Sequence, residues 1–293
     1  MTKIANPIYD VVFKYLMSDN KIAKLMLSTI IGKEVISLQF RDTEKQTDLD
    51  KSIKYHRIDF SAEMLDENNK KQVVIIELQK IRLPADILRF RRYLGEQYMS
   101  KENTYLGTND KGDPEIKTIP IITIYFLGYE LYKVDAPVLK INRETIDIAT
   151  NQKIEEKTEF TECLTHDSFI IQIPYLKQKR RNDLEKLLAV FDQSYLESTD
   201  QHILNLNDDD YPEKYKEIVR LLLKAISEPD IRRKMDLEDD LVEEIRNKDL
   251  AIKRRDEEIA EKDEKLAEKE LKLNEQEKLI SELQEKLNKL KDN

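Results

Sequence analysis

Hydrophobic and polar positions change rhythm several times along the chain. Behind Asn6-Pro7, a capping residue followed by a first-turn proline, Ile8, Val11, Val12, Tyr15 and Leu16 recur with helical spacing and predict a helix. A second helix is expected from Asp19 to Gly32, where the glycine stops it, and Ile36-Ser37-Leu38-Gln39-Phe40 alternates like a strand. Arg57–Glu63 also alternates: Ile58, Phe60 and Ala62 face one way, Arg57, Asp59, Ser61 and Glu63 the other. Val73–Gln79 opens with four β-branched residues in a row, as a strand covered on both faces does. The run Asp66–Lys71 between them is polar and turn-forming, so the two segments read as an antiparallel hairpin. Pro84 is expected to open a helix reaching Lys101, with Ile87, Phe90, Leu94 and Tyr98 on one side and its arginines off that stripe. Thr118–Leu127 and Ser168–Ile173 read as further buried strands. Strands alternating with helices predict an α/β core, a sheet with helices packed on it.

From Lys179 the pattern turns helical. Leu184, Leu187, Leu188 and Phe191 form one stripe, and Ile218, Val219, Leu222, Leu223 and Ile226 another, up to the break at Pro229. Between them Asn205–Pro212 reads as a loop. Its Asp208, Asp209 and Asp210 lack the glycine and closing glutamate of a calcium loop and are taken as solvated. Beyond Asp236 the residues are largely Glu, Lys, Asp, Arg and Leu, and Ile245, Ile252, Ile259, Leu266, Leu273, Ile280 and Leu287 fall every seven. A sustained heptad predicts a supercoiling helix, an arm on the order of 70 Å long. Its second seam is polar at Lys248, Arg255, Lys262, Lys269 and Gln276, and only Leu283 and Leu290 complete it. The alternative is a lone charged helix held by i,i+4 pairs. The expected divisions are therefore 1–178, an α/β domain; 179–235, a small helical domain; and 236–293, a heptad helix, the expected seat of homo-oligomerisation.

Composition removes several chemistries. The only histidines, His56, His166 and His202, are far apart and no Cys or His pair has zinc spacing; five glycines provide no phosphate-cradling loop, so no nucleotide cofactor is expected. Cys163 is the single cysteine, expected as a small buried packing residue in a reducing compartment. No run approaches the roughly 18 apolar residues of a membrane span, and Met1–Pro7 lacks a signal-peptide core, so no membrane contact and a cytoplasmic location are expected. A net charge of -9 argues against a protein that coats nucleic acid along its whole surface, not against one that grips it locally. Arg89, Arg91 and Arg92, and again Lys177, Lys179, Arg180 and Arg181, are either phosphate contacts or solvated helix faces.

The hairpin carries the candidate chemistry. Asp59 stands in one strand segment; Glu77 and Gln79, two apart and so on one face, stand in the next. A carboxylate inside an apolar strand is costly unless a charged or hydrogen-bonding group meets it, and a divalent cation is such a group. Asp10 and Lys14 share a helix face and form either an i,i+4 ion pair or an accessory to those acids.

This arrangement resembles the PD-(D/E)XK nuclease superfamily, and more closely its recombination-promoting nuclease (Rpn) or transposase-like branch. Asp59 matches the first acid of the motif, Glu77 the second, and Gln79 stands where the usual lysine would be, a Glu-x-Gln form common in that branch. Tyr9-Asp10-Val11-Val12-Phe13-Lys14, Arg89-Phe90-Arg91-Arg92-Tyr93 and Leu187–Gln193 also look like it, and together the stretches span about two thirds of the chain. The resemblance implies a restriction-endonuclease-like mixed sheet flanked by helices and hydrolysis of phosphodiester bonds in DNA, linked to recombination or mobile elements. It further implies Mg²⁺ (or Mn²⁺) held by Asp59, Glu77 and the Leu78 carbonyl. Gln79 would orient water by hydrogen bonds, while Lys80 points to the opposite face of an ideal strand. Arg89 and Arg92 would contact DNA phosphates, and Tyr93 would pack or assist. The competing reading is a nuclease-like core without chemistry, an interaction protein assembled by its C-terminal helix.

Overall fold

The computed structural model describes residues 1–41, 60–82, 86–109, 111–207 and 211–291. His56, Asp59, Pro84 and Asp208–Asp210 lie outside the described residues. The chain divides into two units, 1–236 and 237–293.

The first unit begins with β1 (Thr2–Ala5), α1 (Asp10–Met17), α2 (Asn20–Ile31) and β2 (Val35–Phe40). α2 has the expected ends: Asp19 accepts from the Lys21 and Ile22 amides, and Gly32 closes it in the left-handed region at φ 75°. α1 starts later than Asn6-Pro7 predicts. Asn6 is buried and engaged elsewhere, donating to Gln193 Oε1 at 2.9 Å and to the Gln201 carbonyl at 3.1 Å, while its own oxygen accepts from the Ile8 amide. Phe13 and Met17 join Val12 and Leu16 on the buried side, and Val11 and Tyr15 are only partly covered.

The hairpin forms as expected. β3 (Phe60–Asp66) and β4 (Lys71–Gln79) pair antiparallel, with Phe60 opposite Ile76. α3 (Asp86–Met99) follows, then β5 (Thr104–Thr108) and β6 (Pro114–Thr118), which pair with each other, and β7 (Ile121–Leu127). The segment 118–127 is thus two elements divided at Pro120, whose nitrogen has no hydrogen to give a ladder. β8 (Val138–Ile141), β9 (Thr145–Asp147), β10 (Gln152–Ile154), α4 (Glu159–Cys163) and β11 (Asp167–Gln172) complete this half. A six-stranded mixed sheet runs in the order β2-β3-β4-β7-β11-β8, with β4–β7 and β7–β11 parallel.

Residues 179–235 do not stand apart as a helical domain. α5 (Asp183–Leu188) is followed by β12 (Leu196–Glu197) and β13 (Asp200–Leu206), then α6 (Lys216–Ile226). β13 pairs antiparallel with β1, and Leu187, Leu188, Phe191, Leu204 and Ile218 belong to the same core as the central strands. That core lies on one face of the sheet: Val74, Ile76 and Leu78 of β4 and Ile122, Ile124 and Phe126 of β7 pack with α1, α2, α5 and α6. Val73, Ile75 and Ile121 point the other way and pack with Tyr93 of α3. β4 is therefore covered on both faces, as its run of β-branched residues predicts.

α7 (Pro229–Lys291) is continuous through the heptad segment. Its first turns bury Ile231 and Met235 in the core of the first unit. No helix among the described residues is long and apolar enough to cross a membrane.

Candidate functional site

Side chains alternate along β4, so with Leu78 in the main core, Glu77 and Gln79 emerge on the α3 face at the carboxyl end of the strand. Open α/β sheets place their ligands there. The neighbouring parallel strand sets Tyr125 opposite Glu77, and Phe90 of α3 packs edge-on against Tyr125 with ring centroids 4.3 Å apart. Glu77 is only 3% exposed.

Two donors meet the Glu77 carboxylate, both on one oxygen. Gln79 Nε2 donates to Oε1 at 2.7 Å, and the Arg89 guanidinium donates to the same atom at 3.0 Å. Oε2 is buried with no hydrogen-bond partner among the described residues. Burial dominates the electrostatics and pushes the carboxyl up to about 8, although Arg89, Gln79 and Lys14 pull it down; Asp10 adds a small push in the same direction as burial. A divalent cation held by oxygen ligands fits such a group, because a buried oxygen without a donor is a coordination position waiting for a positive charge. Among the described residues no three His, Cys, Asp or Glu side chains converge as a metal cluster.

Asp10 and Lys14 form the i,i+4 ion pair, 2.7 Å apart, and both lie near enough for their charges to act on Glu77. Lys80 takes the other face, its Nζ 3.4 Å from the centroid of the Tyr9 ring, so it does not stand in for the lysine that Gln79 replaces. Arg89 is turned inward to Glu77, with a side chain 20% exposed, instead of being presented to phosphates; Arg91 and Arg92 are the exposed arginines of α3. Tyr93 is a packing residue. In the second basic cluster Arg180 pairs with Asp192 and Arg181 with Glu185, which accounts for both without nucleic acid. Cys163 is partly exposed at the end of α4, not buried as expected.

Two contributors escape a reading of the sequence. Arg89 follows Glu77 by twelve positions on a different element, and no local spacing signals that they meet. Gly128 follows β7 directly and donates its amide to the Gln79 carbonyl at 2.7 Å. A Cβ at Gly128 would lie 2.3 Å from the Lys80 carbonyl oxygen, so only glycine lets the two backbones approach and fix the end of β4. A lone glycine directly after a buried strand is a weak sign of such close packing.

Comparison with family models, with curated proteins and with solved structures returns no match.

Proposed function

We propose that the chain is a divalent-metal-dependent DNA endonuclease of the PD-(D/E)XK type, a cytoplasmic enzyme that self-associates through α7. The observation that carries the reading is Glu77: a carboxylate buried at the carboxyl end of a central strand, with one oxygen accepting two hydrogen bonds and the other without a donor among the described residues. In this proposal Asp59, Glu77 and the Leu78 carbonyl hold Mg²⁺ or Mn²⁺. Asp59 precedes Phe60 in the chain, Glu77 follows Ile76, and Phe60 and Ile76 are register partners. The bound ion supplies Lewis acidity toward a phosphodiester and lowers the pKa of an attacking water.

The protein's own groups have distinct tasks. Gln79 cannot take a proton; its amide fixes the Glu77 carboxylate and can orient water. Arg89 donates to Glu77 from the α3 side, and Arg91 and Arg92 on the exposed side of α3 are the phosphate contacts.

Purified protein with Mg²⁺ or Mn²⁺ is expected to nick plasmid DNA, and Asp59→Asn or Glu77→Gln to abolish nicking with an unchanged circular dichroism spectrum. Equal cutting by these variants would overturn the assignment. The Glu77–Arg89 pair also favours a second reading, a nuclease-like fold whose arginine permanently satisfies the carboxylate and which acts only by assembly. Metal titration separates them: an intact site raises the melting temperature with Mg²⁺ or Mn²⁺ by mass action, and a lost one does not.

A further inference from the structure

Five heptad residues of α7 form an apolar line that the described residues leave open. Ile252, Ile259, Leu266, Leu273 and Ile280 are each more than half exposed. In a helix supercoiled at 3.5 residues per turn, positions three and four further on lie about 51° to either side of that line. The first edge reads Lys248, Arg255, Lys262, Lys269; the second reads Asp249, Asp256, Asp263, Glu270. One side of the stripe is thus basic over four heptads and the other acidic. Away from the stripe, acids pair within the helix: Glu261 with Lys265 and Glu268 with Lys272. Among the described residues Arg255, Lys262 and Lys269 on the basic edge, and Asp256, Asp263 and Glu270 on the acidic edge, have no such intrahelical ion pair.

We propose that this face binds a second copy of the same chain as a parallel, in-register, two-stranded coiled coil. The charge edges select the direction. A two-fold axis along the helices sets the basic edge of one copy beside the acidic edge of the other, on both sides of the seam. A two-fold axis perpendicular to the helices, which gives antiparallel strands, sets basic against basic and acidic against acidic. Parallel pairing also stacks each seam residue on its own copy, isoleucine on isoleucine. The narrow stripe selects two strands, because lysine and arginine at the second seam position can extend to water from a dimer but would be enclosed in a trimer. Heptad pairing is independent of the nuclease reading. Parallel strands bring residue 237 of both copies to the same end of the pair.

Disulfide trapping in full-length Cys163→Ser protein tests it, with Ile252→Cys and Ile280→Cys as separate variants. Sedimentation of the unmodified chain is expected to give two copies, and each cysteine variant alone to oxidise to a covalent dimer. Antiparallel strands centred on Leu266 would instead link position 252 only to 280 when the two variants are mixed. A second variant, Lys248, Arg255, Lys262 and Lys269 all changed to Glu, makes both edges acidic and is expected to self-associate about tenfold or more weakly. A monomer, a mass of three copies, cross-links confined to the mixture, or undiminished association of the quadruple variant would each overturn the proposal.

Discussion

Replacing Glu77 by glutamine tests the burial argument at its source. The carboxyl is held at about 8 in the folded chain against an ordinary value of 4.5. A raised folded value means that the native state keeps a proton the unfolded chain has already released. Stability from this group is therefore fully present below pH 4.5, declines as pH rises, and is gone above 8. The slope approaches 1.36 kcal/mol per pH unit in that window, so between pH 5 and 8 this single group costs about 4 kcal/mol at most. A glutamine keeps the carbonyl that accepts from Gln79 and Arg89, cannot ionise, and places an amide where Oε2 has no partner among the described residues, a penalty of about 1–3 kcal/mol independent of pH. Urea unfolding of both proteins in EDTA at several pH values between 5 and 8.5 is the assay. The expected result is that the variant gains on the wild type as pH rises, by several kcal/mol across the range, and that Mg²⁺ flattens the wild-type slope. Parallel pH profiles in EDTA would refute the reasoning, showing that Arg89 holds Glu77 ionised throughout.

Gly128→Ala forces a Cβ against the Lys80 carbonyl and is expected to cost about 1–3 kcal/mol in urea unfolding, whereas Gly95→Ala, in α3 with nothing within 4 Å, should be neutral or stabilise by up to about 1 kcal/mol. Equal effects at the two positions would mean that close approach at the end of β4 is unimportant. Gln172, fully buried, accepts from the Leu131 amide and donates to the carbonyls of Val134 and Ala136. Gln172→Leu should therefore lower stability by about 2–4 kcal/mol and increase proteolysis between 129 and 137; an unchanged cleavage pattern would remove its role as the clamp of that loop.

Where local signals decide structure, the sequence was readable. The cap and stop of α2 at Asp19 and Gly32, the double-faced run of β4 and its hairpin with β3 all depend on neighbours within a few positions. Elements decided at long range were not. Asn6 looks like a helix cap but is bound to Gln193 and Gln201, nearly two hundred residues away. The α3 stripe assumed Ile87 and Tyr98 inside; both are exposed, because Tyr93 fills the core side and Arg89 turns toward a carboxylate. β13 alternates His202, Leu204 and Leu206 as buried positions, but the stripes on either side of it point only to helices. For the site, Glu77 and Gln79 on one face and Lys80 on the other follow from strand alternation, while the pairing of Glu77 with Arg89 depends on how α3 lies across the sheet.

The ladder between β1 and β13 constrains when the first unit can mature. Thr2–Ala5 are made long before their register partners, Ile203–Leu206. The opening strand must stay unpaired until roughly two hundred further residues have been made, and its contacts are of the high sequence separation that slows folding. Chains truncated or stalled before residue 200 would leave β1 without its partner strand, an edge open to a chaperone.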